Sequence, residues 1–109
     1  MASTYKVLGQ SAPSATTNTD VYTVPSARES VISTIVIANR AATAGTFRLA
    51  VRPNGAAIAD QHYLAYDVPI AANDSTTLTL GITVDATDVI TFYASSATMS
   101  VNVFGSEIS

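Results

Sequence analysis

His62 is the only histidine of the 109-residue chain, so it is the first side chain to consider for chemistry at neutral pH. A general base needs a nucleophile or an acid held close to it, and no serine lies in a Gly-x-Ser-x-Gly turn that would supply a nucleophile. His62 shares its alternation with Leu64, Tyr66 and Val68, which favours a structural role. We therefore expect that the chain is not an enzyme, and we name no catalytic residue.

The carboxylates do not follow the spacing of a metal site. A transition-metal site needs further nitrogen or thiolate ligands, and the chain has no cysteine and no second histidine. Asn73-Asp74-Ser75 and residues 85–88 are too sparse for calcium, and are typical of turns in which carboxylates accept bonds from backbone amides. Glycoside hydrolysis needs two carboxylic acids that face each other on the two sides of a bound sugar. Such a pair could form across strands, but the sequence singles out none. We expect no metal and no cofactor.

Four aromatic residues are predicted to lie outside the core. If each apolar set points inward, then Tyr63, Tyr93 and Phe104 point outward, and Tyr5 lies in an N-terminal strand with little around it. Either another sheet covers these side chains, or they form a subunit or partner interface, where tyrosine and phenylalanine are enriched. Both alternatives stay open, and the candidate interface residues are Tyr5, Tyr63, Tyr93 and Phe104.

The chain is poor in charge, and this excludes several functions. Only 12% of the residues are charged, the net charge is −3, and no two basic residues are adjacent. Nucleic-acid binding needs a basic stripe, so we expect no nucleic-acid partner. The most apolar stretch, residues 31–38, is broken by Ser33 and Thr34, and we expect neither a membrane span nor a signal peptide. The chain would then be made in a cytoplasm and not exported by a visible signal.

Nearly all of the chain alternates with a period of two, which predicts strands and no helix. The predicted strands are 3–10, 20–25, 29–39, 45–53, 61–70, 75–84, 88–95 and 98–107. About eight short strands separated by turn signals predict an all-β fold, a single antiparallel β-sandwich of jelly-roll or immunoglobulin-like type. Residues 1–19 read as an N-terminal strand with a Ser/Thr/Ala/Pro-rich arm that could sit apart from the body, and residues 20–109 read as the sandwich domain.

Two strand pairings follow from the apolar faces. The strands 45–53 and 61–70 are expected to pair with Phe47 opposite Val68, Leu49 opposite Tyr66, and Val51 opposite Leu64. The same register sets Arg48 opposite Asp67. The last three strands are expected to form a meander of neighbours, with buried sets Leu78, Leu80, Ile82, Val84; Ile90, Phe92, Ala94; and Met99, Val101, Val103.

Segments along nearly the whole chain carry a family resemblance. They are Tyr5 to Gln10, Ala12-Pro13, Val21 to Pro25, Ile35 to Arg40, Thr46 to Arg48, Pro53 to Ala56, Tyr63 to Asp67, Ile70 to Asp74, and Val103 to Glu107. Together they resemble a family of small virion proteins of tailed bacteriophages. The resemblance implies a structural protein that decorates or cements a capsid, and it carries over no catalytic residue.

This resemblance implies a set of partners and a location. The major capsid protein or another virion protein would be the partner, the chain would be a homo-oligomer, and its location would be the virion, after synthesis in the host cytoplasm. The N-terminal strand could add to a sheet edge of a neighbour. A tail, neck or fibre component, or a carbohydrate-binding receptor-recognition module with outward Tyr63 and Tyr93, remain as alternatives.

Overall fold

The computed structural model describes residues 3–109, and within this range the alternating segments form nine β-strands. They are β1 (Ser3–Ser11), β2 (Thr19–Thr23), β3 (Glu29–Asn39), β4 (Gly45–Arg52), β5 (Tyr63–Ile70), β6 (Ser75–Leu78), β7 (Ile82–Asp85), β8 (Val89–Ala94) and β9 (Met99–Ile108). Two short 3-10 turns, Pro53–Gly55 and Asp60–His62, lie between β4 and β5. The predicted all-β class is confirmed.

The strands form two antiparallel sheets. The first sheet has the order β1-β9-β3-β6, and β7 also pairs with β3. The second sheet has the order β2-β8-β4-β5. Side chains of both sheets meet in one core, whose largest fully buried members include Phe47, Phe92, Ile32, Ile35, Ile37, Leu49, Ile90, Val101 and Val103. The molecule is therefore a β-sandwich, as the spacing of the strands predicts.

The predicted strand 75–84 is wrong in its length, because it divides into β6 and β7. Gly81 adopts a φ of 62°, a left-handed conformation that breaks an extended strand. β6 pairs with residues 35–38 of β3, and β7 pairs with residues 29–32 of the same strand. Leu80, beside the break, is 50% exposed and does not join the core.

The predicted meander of the last three strands is also wrong. β7 lies in the first sheet, β8 lies between β2 and β4 in the second, and β9 lies between β1 and β3 in the first. The buried sets Ile90-Phe92-Ala94 and Met99-Val101-Val103 are confirmed, since all six side chains have no exposed surface. Alternation shows which face of a strand is apolar, but it does not show which strand lies beside it. Successive strands here cross between the sheets, so their apolar faces meet across the core.

The pairing of β4 with β5 follows the predicted register only at its first part. Phe47 lies opposite Val68, as expected, but Leu49 lies opposite Ala65 and not opposite Tyr66. Asp67 adopts a φ of 50° where the register shifts, so a bulge reverses the alternation of β5. As a result, Leu64 and Tyr66, which were expected to point inward, are 46% and 56% exposed.

β1 is an edge strand that pairs antiparallel with β9. Ser3 lies opposite Ile108 and Ser11 opposite Val101, with a register shift between Val7 and Gly9. A Cβ atom on Gly9 would collide with the carbonyl oxygen of Val21, so at this point β1 lies against β2. The predicted arm, residues 1–19, comprises β1 and the loop that leads to β2, and its residues 1 and 2 lie outside the described residues.

Candidate interaction surfaces

Four side chains form a cluster around Arg48 on the outer face of the second sheet. The guanidinium carbon of Arg48 lies 4.1 Å from the ring centroid of Tyr66 and 4.4 Å from that of Tyr93. Arg48 Nε donates a 2.7 Å hydrogen bond to Asp67 Oδ1, and Nη2 donates a 3.4 Å bond to Oδ2. The ring of Tyr63 meets that of Tyr66 edge to face, with centroids 4.9 Å apart. We call Arg48, Tyr63, Tyr66, Asp67 and Tyr93 the Arg48 cluster.

The charge of Arg48 is held and balanced within this cluster. The hydrogen bond to Asp67 raises the pKa of Arg48 above its ordinary value, and an arginine guanidinium is charged at every accessible pH. A cation placed over tyrosine rings is attracted by their negative faces. Because Asp67 balances the charge, the cluster presents phenol groups to a partner and no strong net charge. Asp60, Tyr63 and Tyr66 line an adjoining surface concavity of about 290 Å³.

A second aromatic surface lies on the outer face of the first sheet. Tyr5 and Val7 of β1 are 84% and 46% exposed, and Phe104 of the neighbouring β9 lies opposite Val7. These residues line a surface concavity of about 500 Å³ together with Val31 and Ser33 of β3. We call Tyr5, Val7, Val31, Ser33 and Phe104 the β1 surface. Its exposed surface is mainly apolar, as contact sites on protein surfaces often are.

A buried polar network joins the two sheets near one end of the sandwich. Tyr22 of β2 donates a 2.7 Å hydrogen bond to Glu107 of β9, and its oxygen lies 2.6 Å from the hydroxyl oxygen of Ser30 on β3. Glu107 also pairs with Lys6, with a 2.9 Å separation, and with Arg28 at 3.6 Å. Glu107 is only 4% exposed, so its charge depends on these partners.

The same contacts change the pKa values of the two acidic groups in this network. The bond from Lys6, followed by that from Tyr22, lowers the pKa of Glu107 below its ordinary value of 4.5. Burial raises the pKa of Tyr22 from 10.0 to about 12. All members of the network have partners inside it, which points to a structural role.

Arg52 holds the loop between β4 and β5 against the second sheet. Its guanidinium pairs with Asp20 at 2.7 Å, donates to Thr91 Oγ1 at 3.0 Å, and donates to the carbonyl oxygens of Gly55 and Ala56. The next turn of this loop contains His62, whose Nδ1 accepts a 3.0 Å hydrogen bond from the backbone amide of Ala59. His62 is 9% exposed, and this bond holds its ring against the turn.

Carboxylates in the turns accept backbone hydrogen bonds, as predicted. Asp74 accepts from the amide of Ser75, and Asp85 accepts from that of Ala86. The carboxylate of Asp88 accepts hydrogen bonds from the backbone amides of Asn54 and Asp85. Among residues 3–109, no three histidine, aspartate or glutamate side chains group closely enough to hold a metal ion. No helix in this range has the length and apolar character needed to cross a membrane.

The structure separates the four candidate interface residues into two pairs. Tyr5 and Phe104 lie together in the β1 surface, and Tyr63 and Tyr93 lie together in the Arg48 cluster. Tyr66, the most exposed ring of the Arg48 cluster, was not predicted to lie on this surface, because the bulge at Asp67 reverses the alternation. The sequence indicated the other members of this cluster through the outward positions of Tyr63 and Tyr93 and through the predicted pairing of Arg48 with Asp67.

No protein-family profile matches the chain, and no curated protein or solved structure matches it.

Proposed function

We propose that the chain is a non-enzymatic structural protein of a phage virion that decorates or cements the capsid. The observation that carries this proposal is the presence of exposed aromatic side chains on both outer faces of one small sandwich, in the β1 surface and in the Arg48 cluster. A cementing protein contacts more than one neighbour, and two separate surfaces support such contacts. The assignment to a virion rests on the resemblance of the sequence to small virion proteins of tailed bacteriophages.

The chemistry of the exterior supports the same proposal. About a quarter of the residues are serine or threonine and only 12% are charged, so contacts with neighbours desolvate few ionised groups. A decorated shell presents many symmetric copies of its binding site, and a protein that oligomerises gains avidity from several weak contacts at once. The major capsid protein or another virion protein is the proposed partner, and the chain would reach the virion after synthesis in the host cytoplasm.

Copy number in purified virions of the phage that encodes the chain tests this proposal. Quantitative mass spectrometry is expected to find a copy number comparable with that of the major capsid protein. A reconstruction of the virion is expected to show the chain on the shell. A copy number near that of a tail or fibre protein would support the neck, tail or fibre alternative instead, and absence from the virion would overturn the proposal.

Surface variants identify the contact sites in a co-sedimentation assay with shells that lack the protein. Tyr5→Ser and Tyr66→Ser are expected to weaken binding, each through one of the two surfaces. Leu80→Ser is the matched control, because Leu80 is a similarly exposed apolar residue outside both surfaces. If all three variants bind as the unmodified chain does, the two surfaces are not the contact sites.

A carbohydrate-binding function is the second candidate, and one observation favours it. Asp60 lies beside the rings of Tyr63 and Tyr66 in the concavity of the Arg48 cluster, so a carboxylate and two phenols face one space. Aromatic rings stack on sugar rings, and carboxylates accept bonds from sugar hydroxyls. A glycan-array signal that is lost in both Asp60→Asn and Tyr66→Ala would support this function, whereas an array without signal would reject it.

A further inference from the structure

We propose that two copies of the chain associate through β1, whose N-terminal half pairs antiparallel with the same segment of the second copy around a two-fold axis at Tyr5. The proposal names a partner and a surface, and it holds whether or not the chain belongs to a virion.

β1 forms an open edge of the first sheet. Within residues 3–109, β1 pairs only with β9, and all five residues from Ser3 to Val7 are exposed. The unpaired backbone groups of such an edge can accept another strand. Antiparallel addition of an identical strand satisfies these groups on both copies at once, as a two-fold interface requires.

The other sheet edges are less suited to accept a strand. β5 contains Pro69 and the bulge at Asp67, both of which interrupt an edge. β6 and β7 have only four residues each, and β2 has five with a register shift inside it. β1 has nine residues, and its N-terminal half contains neither a proline nor a register shift.

The edge of β1 carries little net charge. Lys6 is the only charged residue of β1, and its ammonium group lies 2.9 Å from Glu107 of its own chain. The edge is therefore close to neutral, which does not favour a basic or an acidic partner segment. A second copy of β1 is a neutral segment, so it matches the charge of this edge. In a pairing centred on Tyr5, Lys6 lies opposite Thr4 of the second copy, so the two lysines do not oppose each other.

An apolar face lies beside the open edge of β1. Tyr5 and Val7 belong to the same surface as Phe104 and Val31. A two-fold axis at Tyr5 brings the Tyr5 rings of both copies together and sets Val7 opposite Ser3 of the other copy. The β1 surfaces of the two copies then form one continuous apolar strip, which covers Tyr5, the most exposed large hydrophobic side chain of the described residues. A pairing of five residues is a small interface, so the dimer is expected to depend on concentration.

A single introduced cysteine tests the pairing directly, because the chain contains no cysteine. Opposite residues of an antiparallel pair have Cα atoms about 4.5–5.5 Å apart, within the range of about 4.4–6.8 Å that a disulfide spans. Tyr5→Cys removes the ring but keeps the backbone groups that pair, and a disulfide traps the pair once it forms, so this variant is expected to form a disulfide-linked dimer under mild oxidation. Leu80→Cys, equally a single exposed cysteine, is expected to crosslink severalfold more slowly. Equal rates for the two variants would overturn the pairing.

Sedimentation velocity on the unmodified chain supplies a measurement that needs no crosslink. The chain is expected to shift from the mass of one copy to that of two as its concentration rises. Tyr5→Lys places like charges at the axis and is expected to remain a monomer, whereas Leu80→Lys is expected to dimerise like the unmodified chain. A chain that stays monomeric at every concentration would overturn the proposal. The virion measurements would not be affected by this failure.

Exchange of the whole strand between copies is a different association, and a double variant distinguishes it. Tyr5 lies opposite Ser106 of the same chain, so Tyr5→Cys with Ser106→Cys links these positions wherever β1 pairs with β9. A mixture of unlabelled and heavy-isotope-labelled chains then shows by peptide mapping whether the link joins one chain or two. A link within one chain is expected, and a link between two chains would replace edge pairing by strand exchange.

Discussion

The hydroxyl of Tyr22 donates a 2.7 Å hydrogen bond to the carboxylate of Glu107, joining the second sheet to the first through buried polar atoms. Eighty-five positions separate the two residues along the chain. The carboxylate also pairs with Lys6 of β1, so the edge strand, β2 and β9 are held by one acidic group. Because these contacts connect elements that are distant in sequence, their loss should affect the whole sandwich.

Glu107→Gln is expected to lower the free energy of unfolding by about 1–3 kcal/mol. The amide oxygen of glutamine can still accept the bond from Tyr22, but Lys6 loses its charged partner. Urea unfolding measures the change. Glu29→Gln is the matched control, since Glu29 is exposed, and it is expected to change stability by at most about 0.5 kcal/mol. Equal effects of both variants would show that the network contributes nothing specific.

Glu107 is also expected to make the protein sensitive to acid. Its pKa is lower in the folded chain than the ordinary value of 4.5, so the unfolded chain takes up its proton first as the pH falls. The stabilisation is present above pH 4.5 and is lost as the pH falls through the folded value. Unfolding free energies measured from neutral pH into acid should show this loss. In Glu107→Gln the free energy of unfolding should fall less steeply as the pH is lowered. An unchanged dependence on pH would contradict the assignment.

Tyr22 is expected to limit stability in alkaline solution. Its phenol keeps the proton up to a pKa of about 12 in the folded chain, compared with 10.0 ordinarily. The stabilisation is therefore complete below pH 10 and is lost between pH 10 and about 12, where the unfolded chain releases this proton more readily. Tyr22→Phe should remove this component, as measured by unfolding across the same range. An identical alkaline profile for the variant would contradict the prediction.

Two glycines are expected to tolerate alanine very differently. A Cβ atom on Gly105 would overlap the carbonyl oxygen of Val31 on the adjacent strand, so Gly105→Ala is expected to cost about 3 kcal/mol or more. At Gly81 nothing lies within 4 Å of such an atom, and the cost is the strain of a φ of 62°. Gly81→Ala is therefore expected to cost only about 1 kcal/mol. Thermal or urea unfolding compares the two, and the reverse order would contradict the packing of β9 on β3.

The bulge in β5 is expected to depend on the residue type at position 67. Asn tolerates the left-handed backbone that Asp67 adopts, whereas a β-branched residue does not. Asp67→Asn and Asp67→Val both remove the charge that faces Arg48. Asp67→Val is expected to be less stable than Asp67→Asn by about 1–3 kcal/mol from backbone strain. Equal stability by urea unfolding would mean that the bulge relaxes at little cost.

The sequence was informative wherever a property depends on neighbouring residues. The alternation in residues 29–39 predicted β3 with the bounds that the structure shows, and Asp74 and Asp85 were recognised as turn residues. The pairing of Arg48 with Asp67 was also predicted, although the register beyond it was not. One member of the Arg48 cluster, Tyr66, was missed, since a single left-handed residue reversed its exposure and that of Leu64.

The all-β class and the buried face of most strands were determined by the sequence alone, because alternation with a period of two is a local property of the chain. Only the tertiary structure decided that β8 and β9 lie in opposite sheets, that Tyr5 lies beside Phe104, and that Tyr22 reaches Glu107. These relationships join residues far apart in sequence. They depend on which apolar faces meet and on where a bulge shifts the register, and the local pattern of residues specifies neither.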